Sequence, residues 1–399
     1  MSFEHPNRNN ESMRDVELDI MSRPPEHNTT NLDLDRMNLM LDILGHPEQS
    51  FRVIHITGTN GKGSTARMAE AICRAYGMRT GLYTSPHLEK INERIAIDGQ
   101  QLFDDDFIDI WDQTKDLVAL VDAKMEEQGK PKMSFFEVLT AMAIWKFADT
   151  PVDVAIVEVG MGGLWDATNV LNADAAIIGP VDMDHMQWLG DTVEQIATEK
   201  AGIIKKSIPF VLGEANAAYD AVFEQVAAAN KTRVVYAERE FACEGHELCG
   251  DRQHFRMVRR RDGHVLDFDL DLLGEYQCRN VLTALATLDL LHEQTPLTIS
   301  RRAFVDGAAS AARTTALQGR WQSLGERPKV LCDTGHNAHG LAYVAEQLRR
   351  SHEGGRLYCV VGFSGDKDID AILALLPRDA YYLFTQADSE RALPVSELA

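Results

Sequence analysis

The chain has 399 residues, 45% hydrophobic and 25% charged, with a formal net charge of −21 at pH 7. That length exceeds one typical core, so two domains are expected, and the acidic balance argues against nucleic acid, whose phosphates require a basic surface. Apolar stretches fall far short of the roughly 20 residues that span a bilayer. The polar start MSFEHPNRNNES lacks a signal-peptide apolar region, and six cysteines without a CxxC pair suit reduced core thiols. A cytoplasmic protein without a membrane partner is the expectation.

Residues 1 to about 30 read as a loose polar arm, and Leu32 to Leu44 is helical in pattern, stopping at Gly45. RVIHITGTNGKGST (52 to 65) is a β-branched run that turns through Gly58, Thr59, Asn60, Gly61, Lys62 and Gly63 into the start of a helix. Met68, Ala71, Ile72, Ala75 and Tyr76 repeat at helical spacing, with Gly77 where a terminating residue belongs. This wiring binds phosphate: glycines let backbone N–H groups converge on anionic oxygens, the helix dipole points at them, and one lysine neutralises charge. The expected ligand is a nucleoside triphosphate. Ile56 stands where GxxxxGK[ST] has its first glycine, and Gly63 separates Lys62 from Ser64, so taken alone the segment leaves a plain Gly/Asn-rich turn open.

Strand-like runs follow at 152–160, 174–180 and 208–213, between helical stretches around 135–148, 191–202 and 216–229. Such alternation predicts βαβ units and a mostly parallel, buried sheet, hence an α/β fold. Segment 231–275 breaks the rhythm with hairpins, and Arg259 to Arg261 before Asp262-Gly263 reads as a solvated hairpin tip. A helix over Asn280 to His292 ends a first domain at 31–296. Residues 297–317 are the expected hinge, and 318–399, with PKVLCDTGHN, LYCVVGFSG and AYYLFT as strands, a second, smaller α/β domain.

Four segments carry candidate chemistry: Ser85 and His87 in YTSPHL, Glu158 at a strand's carboxyl end, His185 in DMDHMQWLGDT, and Lys200 in TEKAGIIK. Ligands of open α/β sheets bind outside the carboxyl ends of the strands. Magnesium prefers oxygen ligands, so Glu158, the Ser85 hydroxyl, waters and phosphate oxygens make a sensible shell, with His185 a less usual ligand to a second ion. Singly, each has a plainer reading: a strand-end ion-pair partner, a turn residue, a structural histidine, a solvated lysine.

GTNGKGS, TSPHL with NERI, FFE, EVGMGG with DATN, DH with WLGDT, EKAGI, GR (319 to 320), DTGHN (333 to 337) and DKD (366 to 368) occur in the order seen in folylpolyglutamate synthases and dihydrofolate synthases. The chain resembles that family, within the Mur ligase superfamily, over about residues 30 to 399. The resemblance implies a phosphate-loop central domain with a mostly parallel sheet and a smaller Rossmann-like C-terminal domain. Gly61, Lys62, Gly63 and Ser64 would cradle ATP, joined by Asn280, Arg320, Asp333 and His336 from the interdomain region and second domain. Ser85, Glu158 and His185 would hold two Mg²⁺, and Lys200 matches a lysine that the family carries as a carbamate. Lys62, Lys200 and His185 would be catalytic. Phe136 and Asp166 are candidates for a pterin ring and its NH groups, although Leu164-Trp165 stands where many relatives carry Arg-Leu. Relatives usually continue past RALPVSELA through another helix and strand, which leaves open a shortened member or an incomplete sequence.

The implied reaction joins L-glutamate to dihydropteroate or a folate at the expense of ATP, in a monomer. The rivals are a peptidoglycan-precursor ligase, disfavoured by GTNGKGS with TSPHL and DATN, and a nucleotide-binding regulatory module without ligase activity.

Overall fold

The computed structural model describes residues 12–25, 33–294, 299–352, 354–365, 367–389 and 391–398. The first helices are α1 (Met13–Met21) and α2 (Asp35–Leu44), the latter ending at Gly45 as expected. α1 corrects the loose-arm expectation over its span. Ser12 and Asp15 form a capping box at its start, and Val16 and Ile20 are buried. Two anchors suffice because neighbouring helices cover them, which no local pattern announces. Residues 1–11 and 26–30 of the expected arm lie outside the described residues.

β1 (Arg52–Thr57) runs through the glycine loop into α3 (Lys62–Ala75). β2 (Thr80–Tyr83), β3 (Ile95–Ile97) and β4 (Gln100–Gln101) precede α4 (Asp104–Glu127) and α5 (Phe135–Asp149). The 24-residue α4, which the sequence expectations do not include, buries Phe107, Ile110, Trp111, Val118 and Val121 against α1, α2 and α5. Next come β5 (Val154–Glu158), β6 (Ala175–Ile178), α6 (Met186–Leu189), α7 (Val193–Ala201), β7 (Phe210–Leu212), α8 (Asp220–Ala229) and β8 (Val234–Tyr236). These eight strands form one sheet in the order β4-β3-β2-β5-β1-β6-β7-β8, parallel except at the β2/β3 and β3/β4 edge. β5 is buried along its whole length, as a strand covered by helices on both faces must be. Along β1, Val53 faces the core shared with α4 and α5 while Ile54 and Ile56 face that of α3, the period-2 alternation of a strand.

The hairpins start later than expected, because β8 still belongs to the parallel sheet. After α9 (Ala237–Glu240), β9 (Phe241–Cys249), β10 (Arg252–Arg259) and β11 (His264–Leu270) form an antiparallel sheet whose Phe255, Met257 and Phe268 join the α3 core. The basic tip is tied down: Arg259 pairs with Asp262 and Asp289, and Arg261 with Asp289 and Glu293. Asp262 lies in the hairpin turn itself, whereas Asp289 and Glu293 belong to α10 (Gln277–Gln294).

The hinge expectation also needs correcting. Residues 297 and 298 lie outside the described residues, but α11 (Arg301–Ala308) and α12 (Ala311–Thr314) pack on α3, with Gly307 so close that a Cβ would meet Ile72 Cα at 2.6 Å. Apolar side chains facing another helix of the same core make this segment part of the first domain.

In the second domain, β12 (Gln322–Glu326) and β13 (Lys329–Cys332) pair antiparallel, and α13 (Ala338–Ser351) leads to β14 (Tyr358–Val361). After α14 (Ile369–Leu375), β15 (Tyr381–Phe384) pairs parallel with β14, and α15 (Val395–Leu398) follows. Tyr358, Val360, Tyr381 and Leu383 are exposed, and the two tyrosine rings stack 5.2 Å apart. All six cysteines are free, yet only Cys73 is buried and Cys249 is exposed, so the core-thiol expectation holds for one of them. Among the described residues, no helix is long and apolar enough to cross a membrane.

Candidate active site

β1 lies where the strand order turns, between β5 and β6, so its carboxyl end opens into the crevice that such sheets use for ligands. Gly58 and Gly179 touch there: a Cβ on Gly58 would stand 3.0 Å from Gly179 Cα. Gly61, at φ 79°, is pressed against the Asn280 side chain and begins α3, whose first-turn N–H groups have no partner within the helix. Lys62 Nζ donates to Gly58 O (2.8 Å) and Thr59 O (3.4 Å), holding the ammonium against the loop. Ser64 is buried, and its hydroxyl accepts from Gln277 at 3.4 Å.

A cavity of about 160 Å³ lies between the domains. It gathers Thr59 to Ser64, Ser85, Glu158, Asn280, Arg320, Asp333 and His336, all singled out in the sequence, with Gly58 on the other side of the loop. Asp333 is already engaged, accepting from Tyr276 Oη (2.7 Å), Trp321 N (2.9 Å) and Gly335 N (2.8 Å), so much of its capacity shapes the cavity wall. Arg320 donates to Gly319 O (3.0 Å) and to the Thr334 hydroxyl. Tyr276, Arg279 and Tyr343 also line it and carry no sequence motif that marks them, since chain positions 276 and 343 meet only in the fold. The Arg279 guanidinium lies 5.1 Å from the Tyr343 ring centroid, a cation–π pair on the wall.

Lys62 separates two polar corners. On the cavity side, the buried Glu158 accepts from Ser85 N at 3.2 Å. Burial pushes its carboxyl up, against the pull of Lys62, the Ser85 N–H, Arg67 and Arg320. On the other side, His185 and Lys200 line a small enclosed cavity with Lys62, Thr57 and Asp184. Burial pushes the Lys200 ammonium down to about 7, with Lys62 adding to the effect and Asp184 and Asp166 opposing it. His185 is pushed down to about 4, chiefly by burial, opposed by Asp184 and reinforced by Lys367, Lys62 and Lys200. Among the described residues, no three His, Cys, Asp or Glu side chains converge as a metal-ligating cluster. The donor set nevertheless fits magnesium: a buried carboxylate, a hydroxyl and room for phosphate and water oxygens are what that hard ion takes.

The pterin candidates are placed differently. Phe136 is buried against Tyr83 (5.8 Å between centroids) and lies under Gly160, where a Cβ would meet its ring at 2.6 Å. Asp166 accepts from Met161 N (3.0 Å), Thr168 N (2.9 Å) and the Thr168 hydroxyl. Neither lines the interdomain cavity or the enclosed one beneath the loop. Both support the underside of the 158–163 loop.

Two further contacts join the domains. Asn60 and Asn337 exchange amide hydrogen bonds of 3.2 and 3.1 Å, and Asn60 also meets His339 Nδ1 at 3.1 Å. Asp184 is paired with Lys367 Nζ at 2.7 Å and accepts from Asn337 Nδ2 at 3.0 Å. Asp366 of the DKD motif lies outside the described residues.

The family model for the Mur ligase middle domain matches residues 108–288, and that for the Mur ligase glutamate ligase domain matches 319–399. A dihydrofolate synthase/folylpolyglutamate synthase of Mycobacterium tuberculosis is 38% identical over 97% of this chain and 81% of its own length. The structure of the Mycobacterium tuberculosis folylpolyglutamate synthase complexed with ADP and AMPPCP superimposes with a TM-score of 0.87 at 36% identity, over 97% of this chain and 84% of that one. A folylpolyglutamate synthase–AMPPCP–folate complex gives 0.85 at 30% identity, over 94% and 88%. Fold, phosphate loop and ordered motifs agree with these likenesses, and the chain belongs to the dihydrofolate synthase/folylpolyglutamate synthase family of Mur ligases.

Proposed function

We propose that this protein is an ATP-dependent ligase that joins L-glutamate to dihydropteroate, a reduced folate or both, releasing ADP and phosphate. The observation that carries the reading is the convergence of the phosphate loop, the buried Glu158 and the second domain's Arg320, Asp333 and His336 on one interdomain cavity. The likeness to relatives solved with ADP, AMPPCP and folate supports it. In the proposed reaction, a carboxylate oxygen of the acceptor attacks the γ-phosphorus and ADP leaves. The amine of glutamate then attacks the acyl carbon, phosphate departs, and the amine proton goes to solvent. Lys62 and the α3 N-terminus stabilise charge on the transferred phosphoryl group, and domain closure holds amine and acyl carbon together while excluding water. Bound Mg²⁺, held by Glu158 and Ser85 with a second ion at His185, would supply charge neutralisation on the β- and γ-oxygens.

Lys200 is proposed to work as a carbamate. Its amine sits in an enclosed cavity with a second cation, Lys62, and its lowered proton affinity leaves neutral amine available to add CO₂. The amine nitrogen bonds the CO₂ carbon and one of its protons passes to solvent, leaving a carbamate whose carboxylate suits a site for cations where an ammonium does not.

An ADP-release assay tests the function. Turnover is expected only when glutamate and a pteroate or folate are both present. Nucleotide binding without such turnover would favour the regulatory-module reading, and turnover with a peptidoglycan precursor the rival ligase. Comparing dihydropteroate with a reduced folate monoglutamate identifies the acceptor.

A further inference from the structure

Asp184 immediately precedes His185 yet spends its carboxylate on the other domain. Its side chain is 6% exposed and that of Lys367 8%, and their charged atoms lie 2.7 Å apart. From the same domain Asn337 donates to Oδ2 at 3.0 Å, and His336 Nε2 stands 3.8 Å away. From its own segment, Asp184 accepts the His185 backbone N–H at 2.9 Å, and His185 Nε2 is 3.9 Å from Oδ2. His185 takes φ 51°, a left-handed conformation that a non-glycine residue holds only when its surroundings fix it. One carboxylate thus fixes the backbone entering His185 and receives a cation, an amide and an imidazole from the second domain. Asn337 links the same point to the phosphate loop through Asn60.

We propose that Asp184 is a positioning residue and Lys367 its closing partner: docking of Lys367 on Asp184 sets the His185 segment and the phosphate loop together, so the site is complete only when the domains are closed. The inference rests on the ligase reading for its kinetic consequence, and not for its structural one. A buried charge pair of this kind resists substitution of one partner more than of both, because a lone buried charge is what costs most.

The test uses the full chain as Lys367→Met, Asp184→Asn, the double variant, and Lys367→Arg. Lys367→Met is expected to lower kcat roughly tenfold or more, Lys367→Arg to recover most of it, and the double variant to be no worse than the poorer single one. Small-angle scattering with a non-hydrolysable ATP analogue is expected to show a larger radius of gyration for Lys367→Met than for the wild type. Equal radii, unchanged kcat in Lys367→Met, or effects that simply add in the double variant would each overturn the proposal. A wild-type chain without ligase turnover would defeat the function proposed above, while the scattering comparison would still decide the latch.

Discussion

Glu158 and Asp166 stand at either end of one glycine-rich segment, both almost fully buried and both pushed by burial toward the protonated form. Their partners differ. Asp166 is saturated by Thr168 and the backbone N–H groups of Met161 and Gly160, whereas Glu158 accepts one backbone N–H and faces Lys62, Arg67 and Arg320. Burial alone therefore does not mark out the carboxylate proposed to hold magnesium. Spare acceptor capacity beside cations whose hydrogen bonds go to neutral oxygens does, because an unmatched buried group is tolerated chiefly where a ligand completes it.

The strongest way to break this contrast lies beside Glu158. Lys62→Ala removes the cation shared by both polar corners and should lower turnover by about 10²–10³-fold, with the fold intact by circular dichroism. Near-normal turnover would return the loop to a plain turn. Lys200→Ala should cost about 10–100-fold, with partial recovery in acetate if the cavity admits it. Labelled bicarbonate should give a carbamate carbon signal in the wild type that the variant lacks, and full activity of the variant without that signal difference would remove the carbamate.

Asp166→Asn sharpens the other side. An amide offers one acceptor oxygen to donors that now engage two, so a loss of about 1–3 kcal/mol in unfolding free energy is expected, with little change in KM for the acceptor. A large KM change at unchanged stability would make Asp166 a substrate ligand instead. An effect felt only as the pH falls belongs to His55, fully buried on β1 with Nε2 2.7 Å from the Thr168 hydroxyl. That hydroxyl donates to Asp166, so Nε2 carries the proton and donates, while Nδ1 has no partner among the described residues. Burial, with Lys205 nearby, lowers the imidazole from 6.5 to about 3. Between those values the unfolded chain binds the extra proton, so stability falls as pH falls from 6.5 toward 3, by at most about 1.4 kcal/mol per pH unit. His55→Gln should flatten that slope in chemical denaturation measured across the window; an identical slope would show that His55 does not titrate this way.

Much of the phosphate side was legible because its chemistry is local. A strand, a glycine turn and a lysine at a helix start are neighbours in sequence, and β1, α3 and β5 lie where periodicity put them. The central sheet was legible for the same reason, since buried parallel strands are continuous apolar runs. What was not legible is relational. α1 is anchored by two side chains against helices far along the chain, α11 looked like a hinge because its apolar face is narrow, and Asp184 gave no local sign of a partner at position 367. Phe136 and Asp166 were placed by likeness alone, and likeness says nothing about how many hydrogen bonds a carboxylate already makes.

The contact of Gly58 with Gly179 has a consequence for how this family can vary. A Cβ on Gly58 would meet Gly179 Cα at 3.0 Å and one on Gly179 would meet Asn60 O at 3.1 Å, so a side chain at either position crowds the backbone of the glycine loop or the strand end beside it, and a single substitution at one of them should injure folding and nucleotide binding together. Selection for a stable protein and selection for an active one then act on the same two sites with the same sign. In a library scored separately for abundance and for activity, these positions should fall on the diagonal, while Lys62 should fall off it.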